Sequence, residues 1–99
     1  MTVARRPLET SVERRVARDA LTRYGVVSFK LTLRHDAGWP DRLFLVPGGR
    51  PLFIEFKRPG KSPNPLQAHR IETLSGLGYD VEVRDDYDAA LAAIAGRLR

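Results

Sequence analysis

Val12, Val16, Ala20 and Tyr24 recur every four residues and draw one apolar stripe along the first third of the chain, flanked by Ala17 and Leu21. That spacing predicts a helix over residues 11–24, stopped by Gly25. The period then changes to two. Val27, Phe29, Leu31 and Leu33 alternate with Ser28, Lys30 and Thr32, which predicts a strand over 26–33. A second apolar run, Leu43 to Val46, is followed by Pro47-Gly48-Gly49-Arg50-Pro51, whose composition is that of a turn. The return run has Leu52, Ile54 and Phe56 pointing one way and Phe53, Glu55 and Lys57 the other. Asn64-Pro65 is a helix start, with Asn as cap and Pro in the first turn. Gln67, Ile71 and Leu74 share a face of that helix, which ends at Gly76-Leu77-Gly78. Tyr79, Val81 and Val83 alternate through a further strand, and Asp85, Asp86 or Asp88 caps an Ala-rich last helix from Ala89 to Leu98. The order α-β-β-β-α-β-α defines an α/β domain, a small mixed sheet flanked by helices. Its first three strands form an antiparallel meander, and the helical crossover allows a parallel neighbour.

Ninety-nine residues suffice for one domain with a modest core, here assigned to residues 10–99 behind a basic arm over 1–9 that carries Arg5 and Arg6. There is no repeat, linker or low-complexity segment. No apolar run is long enough to span a bilayer, and no charged-then-apolar leader opens the chain, so a cytoplasmic location is expected. The absence of cysteine excludes disulfides and thiolate metal sites. Seventeen Lys and Arg against twelve Asp and Glu give a net charge of +5. Most of that charge is arginine, suited to bidentate phosphate contacts, and a polyanion is the natural partner.

The chemistry concentrates between Gly38 and Lys57. In an antiparallel hairpin the start of the first strand lies beside the end of the second, so Asp41 returns to the neighbourhood of Glu55 and Lys57. Two adjacent carboxylates repel unless a cation or a shared proton relieves them. Oxygen-only ligands suit Mg²⁺ or Mn²⁺, and Lys57 beside them suits orienting a water or neutralising a phosphate. The competing reading is a salt-bridged strand end on a solvated face. Arg58 and Lys61, in the rigid loop after Lys57, and Arg70, on the following helix, are candidates to hold a phosphate backbone, as are Arg14 and Arg18 on the first helix. Glu13 has two readings. Thr10-x-x-Glu13 fits a capping box, yet Glu13 also borders the apolar stripe. Gln67 either satisfies local backbone or reaches Lys57 or a metal-bound water. His35 has no partner at metal-finger spacing and is assigned to a loop surface. Trp39 is expected to pack over the hairpin.

Pro40-Asp41, thirteen residues, then Glu55-Phe56-Lys57 resembles the PD-(D/E)XK nuclease signature. The fuller set, Gly38-Trp39-Pro40-Asp41, Ile54-Glu55-Phe56-Lys57, Gln67, Leu74 and Gly78 before Val81 and Val83, resembles the VRR-type (virus-type replication-repair) nuclease domain over residues 13–83. The resemblance implies a restriction-endonuclease-like core. It implies that Asp41, Glu55 and the Phe56 carbonyl bind Mg²⁺ or Mn²⁺, with Glu13 joining them and Lys57 and Gln67 as the other catalytic groups. The implied activity is a metal-dependent endonuclease acting on DNA, branched DNA such as a Holliday junction in particular. A homodimer in a prokaryotic or phage-infected cell is implied, without a small-molecule cofactor. The alternative is a nucleic-acid-binding module that retains this core without hydrolysis.

Overall fold

A computed structural model describes residues 8–98. Its elements are α1 (Leu8–Tyr24), β1 (Val27–Lys30), β2 (Arg42–Val46), β3 (Arg50–Phe56), α2 (Pro65–Gly76), β4 (Asp80–Arg84) and α3 (Tyr87–Ala95). Residues 1–7 of the expected arm lie outside the described residues, and residues 8 and 9 already belong to α1. The four strands form one sheet in the order β1-β2-β3-β4. β1, β2 and β3 pair antiparallel, and β4 adds parallel to β3 after the α2 crossover.

The strand register divides the side chains between two faces. Phe44, Val46, Leu52, Ile54 and Phe56 point toward α1 and α3 and are almost fully buried. Val16 and Ala20 of α1 and Ala90, Leu91 and Ile94 of α3 complete that core. The predicted stripe of α1 is confirmed, with Val12 and Tyr24 packed at its ends. Leu21 is the exception, 52% exposed and off the stripe. Gly48 and Gly49 both adopt positive φ in the β2–β3 turn, a conformation that a side chain would disfavour.

β1 inverts the usual reading of an alternating strand. Ser28 and Lys30 face the helices and are used there by charged partners, whereas Val27 and Phe29 lie on the outer face, 47% and 52% exposed. Val27 is level with Leu45, and Phe29 with Leu43 and then Phe53, so one apolar band crosses the outer face. The strand also ends at Lys30 rather than Leu33. One further bond, from the Leu31 N–H to the Asp41 carbonyl, ties the start of the loop to its end. Between them the chain leaves the sheet to reach α2.

That loop is held by α2 and leads directly into Asp41. The Arg70 guanidinium lies 4.6 Å from the centre of the Trp39 ring, donates to the Ala37 carbonyl at 3.1 Å and pairs with Asp36 at 2.6 Å. Gly38 has φ +92°, and a Cβ there would fall 2.6 Å from Leu66 Cγ. Gly38→Ala therefore combines an unfavourable backbone with a clash against a helix. It is expected to cost about 2–4 kcal/mol, read as a lowered denaturation midpoint. Asn64 caps α2 and Asp86, of the three sequence candidates, caps α3.

Candidate active site

β2 and β3 bring Asp41, Glu55 and Lys57 to one end of the sheet. The Phe56 N–H donates to Asp41 Oδ2 at 2.8 Å, which fixes that carboxylate beside the residue following Glu55. Lys57 Nζ lies 3.0 Å from Glu55 Oε2. The Lys57 N–H itself bonds to the Arg84 carbonyl of β4, continuing the parallel ladder one residue past β3. Glu55 is almost completely buried at 2% exposure, although its neighbour Phe53, on the same outer face, is partly open. Its other oxygen, Oε1, is buried without a hydrogen-bond partner.

A buried carboxylate oxygen with no donor is costly, and the protonation equilibrium reflects it. Burial, then the charge of Asp41, pushes Glu55 up from 4.5 to about 7, against the opposing pull of Lys57. Asp41 is raised as well, mainly by burial, with the Phe56 N–H opposing and the charge of Glu13 adding to the rise. Two coupled carboxyl groups, each resisting ionisation, form a site that a hard divalent cation relieves. The orphan Oε1 is the group that such a cation would satisfy, so this donor pair fits Mg²⁺ or Mn²⁺.

Glu13 is a buried acid of a different kind, 3% exposed and fully engaged. Lys30 Nζ reaches its Oε1 at 2.8 Å and Arg42 Nε its Oε2 at 3.0 Å, while Arg42 Nη1 also donates to Ser28 Oγ. The capping-box reading of Glu13 is corrected. α1 begins at Leu8, so Thr10 lies inside the helix and is not its cap. Glu13 belongs instead to an ion-pair cluster beneath the site, near enough for its charge to act on Asp41. Among the described residues no three His, Cys, Asp or Glu side chains converge as a metal-holding group.

Gln67 is also corrected from the more distant reading to the local one. Its Oε1 accepts the Asn64 N–H at 3.0 Å, while Asn64 Oδ1 accepts the Gln67 N–H at 2.8 Å, a reciprocal cap in which the carboxamide oxygen serves α2. Arg70 is the clamp on the Asp36–Trp39 loop. Arg58 and Lys61 are exposed in the turn after Lys57, where the Lys61 N–H bonds the Arg58 carbonyl. Arg14 and Arg18 are exposed on α1, and Arg18 pairs with Asp19 at 3.1 Å.

Lys30 and Arg42 were missed in the sequence. Their signal is two cations at strand positions whose inward neighbours are otherwise apolar, opposite a helix that carries an acid on its buried side.

No protein-family model matches the chain. Among solved structures, one titled "VRR_NUC domain" matches with a TM-score of 0.79 at 25% identity, covering 91% of this chain and 97% of that one. Another, "VRR_NUC domain protein", matches at 0.74 and 24% identity over 90% of this chain and 86% of its own. The fold is therefore that of a small α/β nuclease-like domain. In sequence, the chain is 34% identical over 80 residues to "Putative nuclease p44" of Acyrthosiphon pisum secondary endosymbiont phage 1, which covers 81% of this chain and 85% of that protein. The chain belongs to the VRR-type nuclease family.

Proposed function

We propose that the protein is a divalent-metal-dependent endonuclease that hydrolyses DNA phosphodiester bonds at the Asp41–Glu55–Lys57 site. The observation that carries this reading is the buried, unpartnered Oε1 of Glu55 next to a second carboxylate that is also reluctant to ionise. Asp41 and Glu55 would hold Mg²⁺ or Mn²⁺ together with the Phe56 carbonyl, and the ion would supply Lewis-acid polarisation of the phosphate and an activated water. Lys57, held against Glu55, is poised to release that contact toward a phosphate oxygen or the attacking water once a cation takes the carboxylate. Glu13 contributes negative charge behind the site, with Lys30 and Arg42 holding it in position. Exposed Arg14, Arg18, Arg58 and Lys61 supply the cationic surface for the backbone, and Gln67 and Arg70 act by fixing α2 and the loop into Asp41.

The preferred substrate in this reading is branched DNA cut by a homodimer. Support for a second copy comes from the outer sheet face, where Val27, Phe29 and Leu45 are 44–52% exposed in one contiguous apolar band. Exposed bands of this kind mark association surfaces. Phe29→Glu is expected to convert a dimer to a monomer in light-scattering measurements without loss of helicity. An unchanged mass would remove this face from the account.

The test of the activity is purified protein with Mn²⁺ on a four-way junction and on its linear duplex counterpart. Cleavage concentrated in the junction supports the full reading, and cleavage of both supports the nuclease alone. Binding without cleavage of either substrate would favour an inactive binding module on the same core.

A further inference from the structure

A second concavity shares Lys57 with the candidate active site and is unused by the reading above. It has a volume of about 230 Å³ and is walled by Val12, Arg15, Lys57, Pro59, Asp85, Asp86 and Tyr87. That is smaller than the roughly 300–1,000 Å³ of drug-sized ligand pockets and has the scale of a single flat ring. Its walls are assembled from α1, the loop after β3 and the start of α3. The Arg15 guanidinium lies 4.2 Å from the centre of the Tyr87 ring, and the Tyr87 hydroxyl donates to Asp19. The cation thus already lies over the aromatic ring, and the ring is tethered through its hydroxyl. Val12 and Pro59 add apolar surface.

Asp85 is the anomaly. An exposed carboxylate at the mouth of a pocket beside the site repels a phosphate backbone and, in a chain of net charge +5, adds nothing to non-specific attraction. Asp86, next to it, caps α3 through its Oδ1. A carboxylate at such a place is useful to a partner that offers hydrogen-bond donors, as the exocyclic amine of a base does, because aspartate accepts from cytosine N4. Arginine planes and aromatic rings are the platforms on which unpaired bases stack.

We propose that this cavity holds one unpaired base of the bound strand beside the phosphate at the Lys57 site, stacked on the Arg15–Tyr87 pair, with Asp85 favouring bases that carry an exocyclic amine over thymine. The proposal rests on the nuclease reading for the position of the strand, and its consequence is a base preference next to the cleaved bond. Cytosine presents its amine to Asp85, whereas thymine presents a carbonyl oxygen and meets repulsion. Frayed, gapped or flap-bearing branch points supply bases free of pairing, which is the form of strand that this pocket accepts.

The test is fluorescence anisotropy of the full chain with labelled dC10 and dT10 at pH 8, with Ca²⁺ as the divalent ion. Wild type is expected to bind dC10 about fivefold tighter, the size of effect that one partly solvated hydrogen bond supplies. Asp85→Asn, whose carboxamide both donates and accepts, is expected to bring the two oligonucleotides within about twofold of each other, with dT10 bound at least as well as by wild type. Arg15→Leu is expected to weaken both. Equal affinities in wild type, or a cytosine preference that survives Asp85→Asn, would overturn the proposal and leave the cavity a solvated helix start. Mn²⁺ cleavage assays in parallel separate the two claims. Cleavage without base preference removes the pocket alone, and preference without cleavage removes the catalytic reading alone. Absence of binding to either oligonucleotide overturns the pocket, and the catalytic reading is then decided by the cleavage assay alone.

Discussion

Asp41→Asn is expected to lower junction cleavage about a thousandfold while leaving the fold intact. The carboxamide keeps an oxygen in place to accept the Phe56 N–H, so the local geometry that Asp41 maintains survives. What disappears is the negative charge that, with Glu55, would attract a divalent ion in the proposed mechanism. If that ion supplies about 4 kcal/mol of transition-state stabilisation, its loss corresponds to about three powers of ten in rate. Lys57→Ala acts differently. It removes the ammonium from Glu55 Oε2 and leaves both carboxylates. The rate is expected to fall about a hundredfold with Mn²⁺ binding retained or strengthened, because the competing cation has gone. Single-turnover cleavage rates beside circular dichroism of both variants check the pair. Equal losses of metal affinity would place Lys57 among groups that merely shape the site.

Glu55 yields a pH prediction whose sign is fixed by the direction of its shift. Its folded-state pKa, about 7, lies above the ordinary 4.5, so the folded protein holds this proton longer than the unfolded chain does. The stability associated with that proton is fully present below about 4.5 and is lost as the pH rises through about 7. Glu55→Gln has no proton to lose there. In metal-free buffer, wild type is expected to lose about 2–3 kcal/mol relative to Glu55→Gln between pH 4.5 and pH 8, seen as a widening gap in thermal midpoint. Saturating Mn²⁺ is expected to reverse the order above pH 7, because an ion held by the ionised carboxylate would stabilise wild type by mass action. The Mn²⁺ affinity of wild type is accordingly expected to rise with pH up to about 7 and then level. A pH-independent gap between the two proteins would mean that Glu55 is already ionised and content in the fold.

The pattern of apolar residues was sufficient for the element order, the meander, the parallel fourth strand and the inward set Leu52, Ile54 and Phe56. Strand and helix periods are local properties, and here the tertiary structure agrees with them. It was also sufficient for the convergence of Asp41 with Glu55, since hairpin pairing alone places the two ends together. The face of β1 was not legible, because alternation gives two faces without saying which is buried. The core faces Ser28 and Lys30 only because Glu13 of α1 and Arg42 of β2 provide polar partners on that side. Gln67 carried the same ambiguity in one residue. A carboxamide in the first turn of a helix serves either its own cap or a distant site, and the reciprocal bonds with Asn64 satisfied the nearer need. Arg70 is cationic in composition but committed in structure, since the Asp36 carboxylate and the Trp39 ring take it before any phosphate does.

Mn²⁺ soaked into crystals of the wild-type chain at pH 8, read by anomalous scattering, addresses the central claim without reference to turnover. A peak between Asp41 and Glu55, within coordination distance of Glu55 Oε1 and with Lys57 Nζ turned away from Oε2, is the predicted result. Density bound elsewhere, or none there with Glu55 still paired to Lys57, would contradict it.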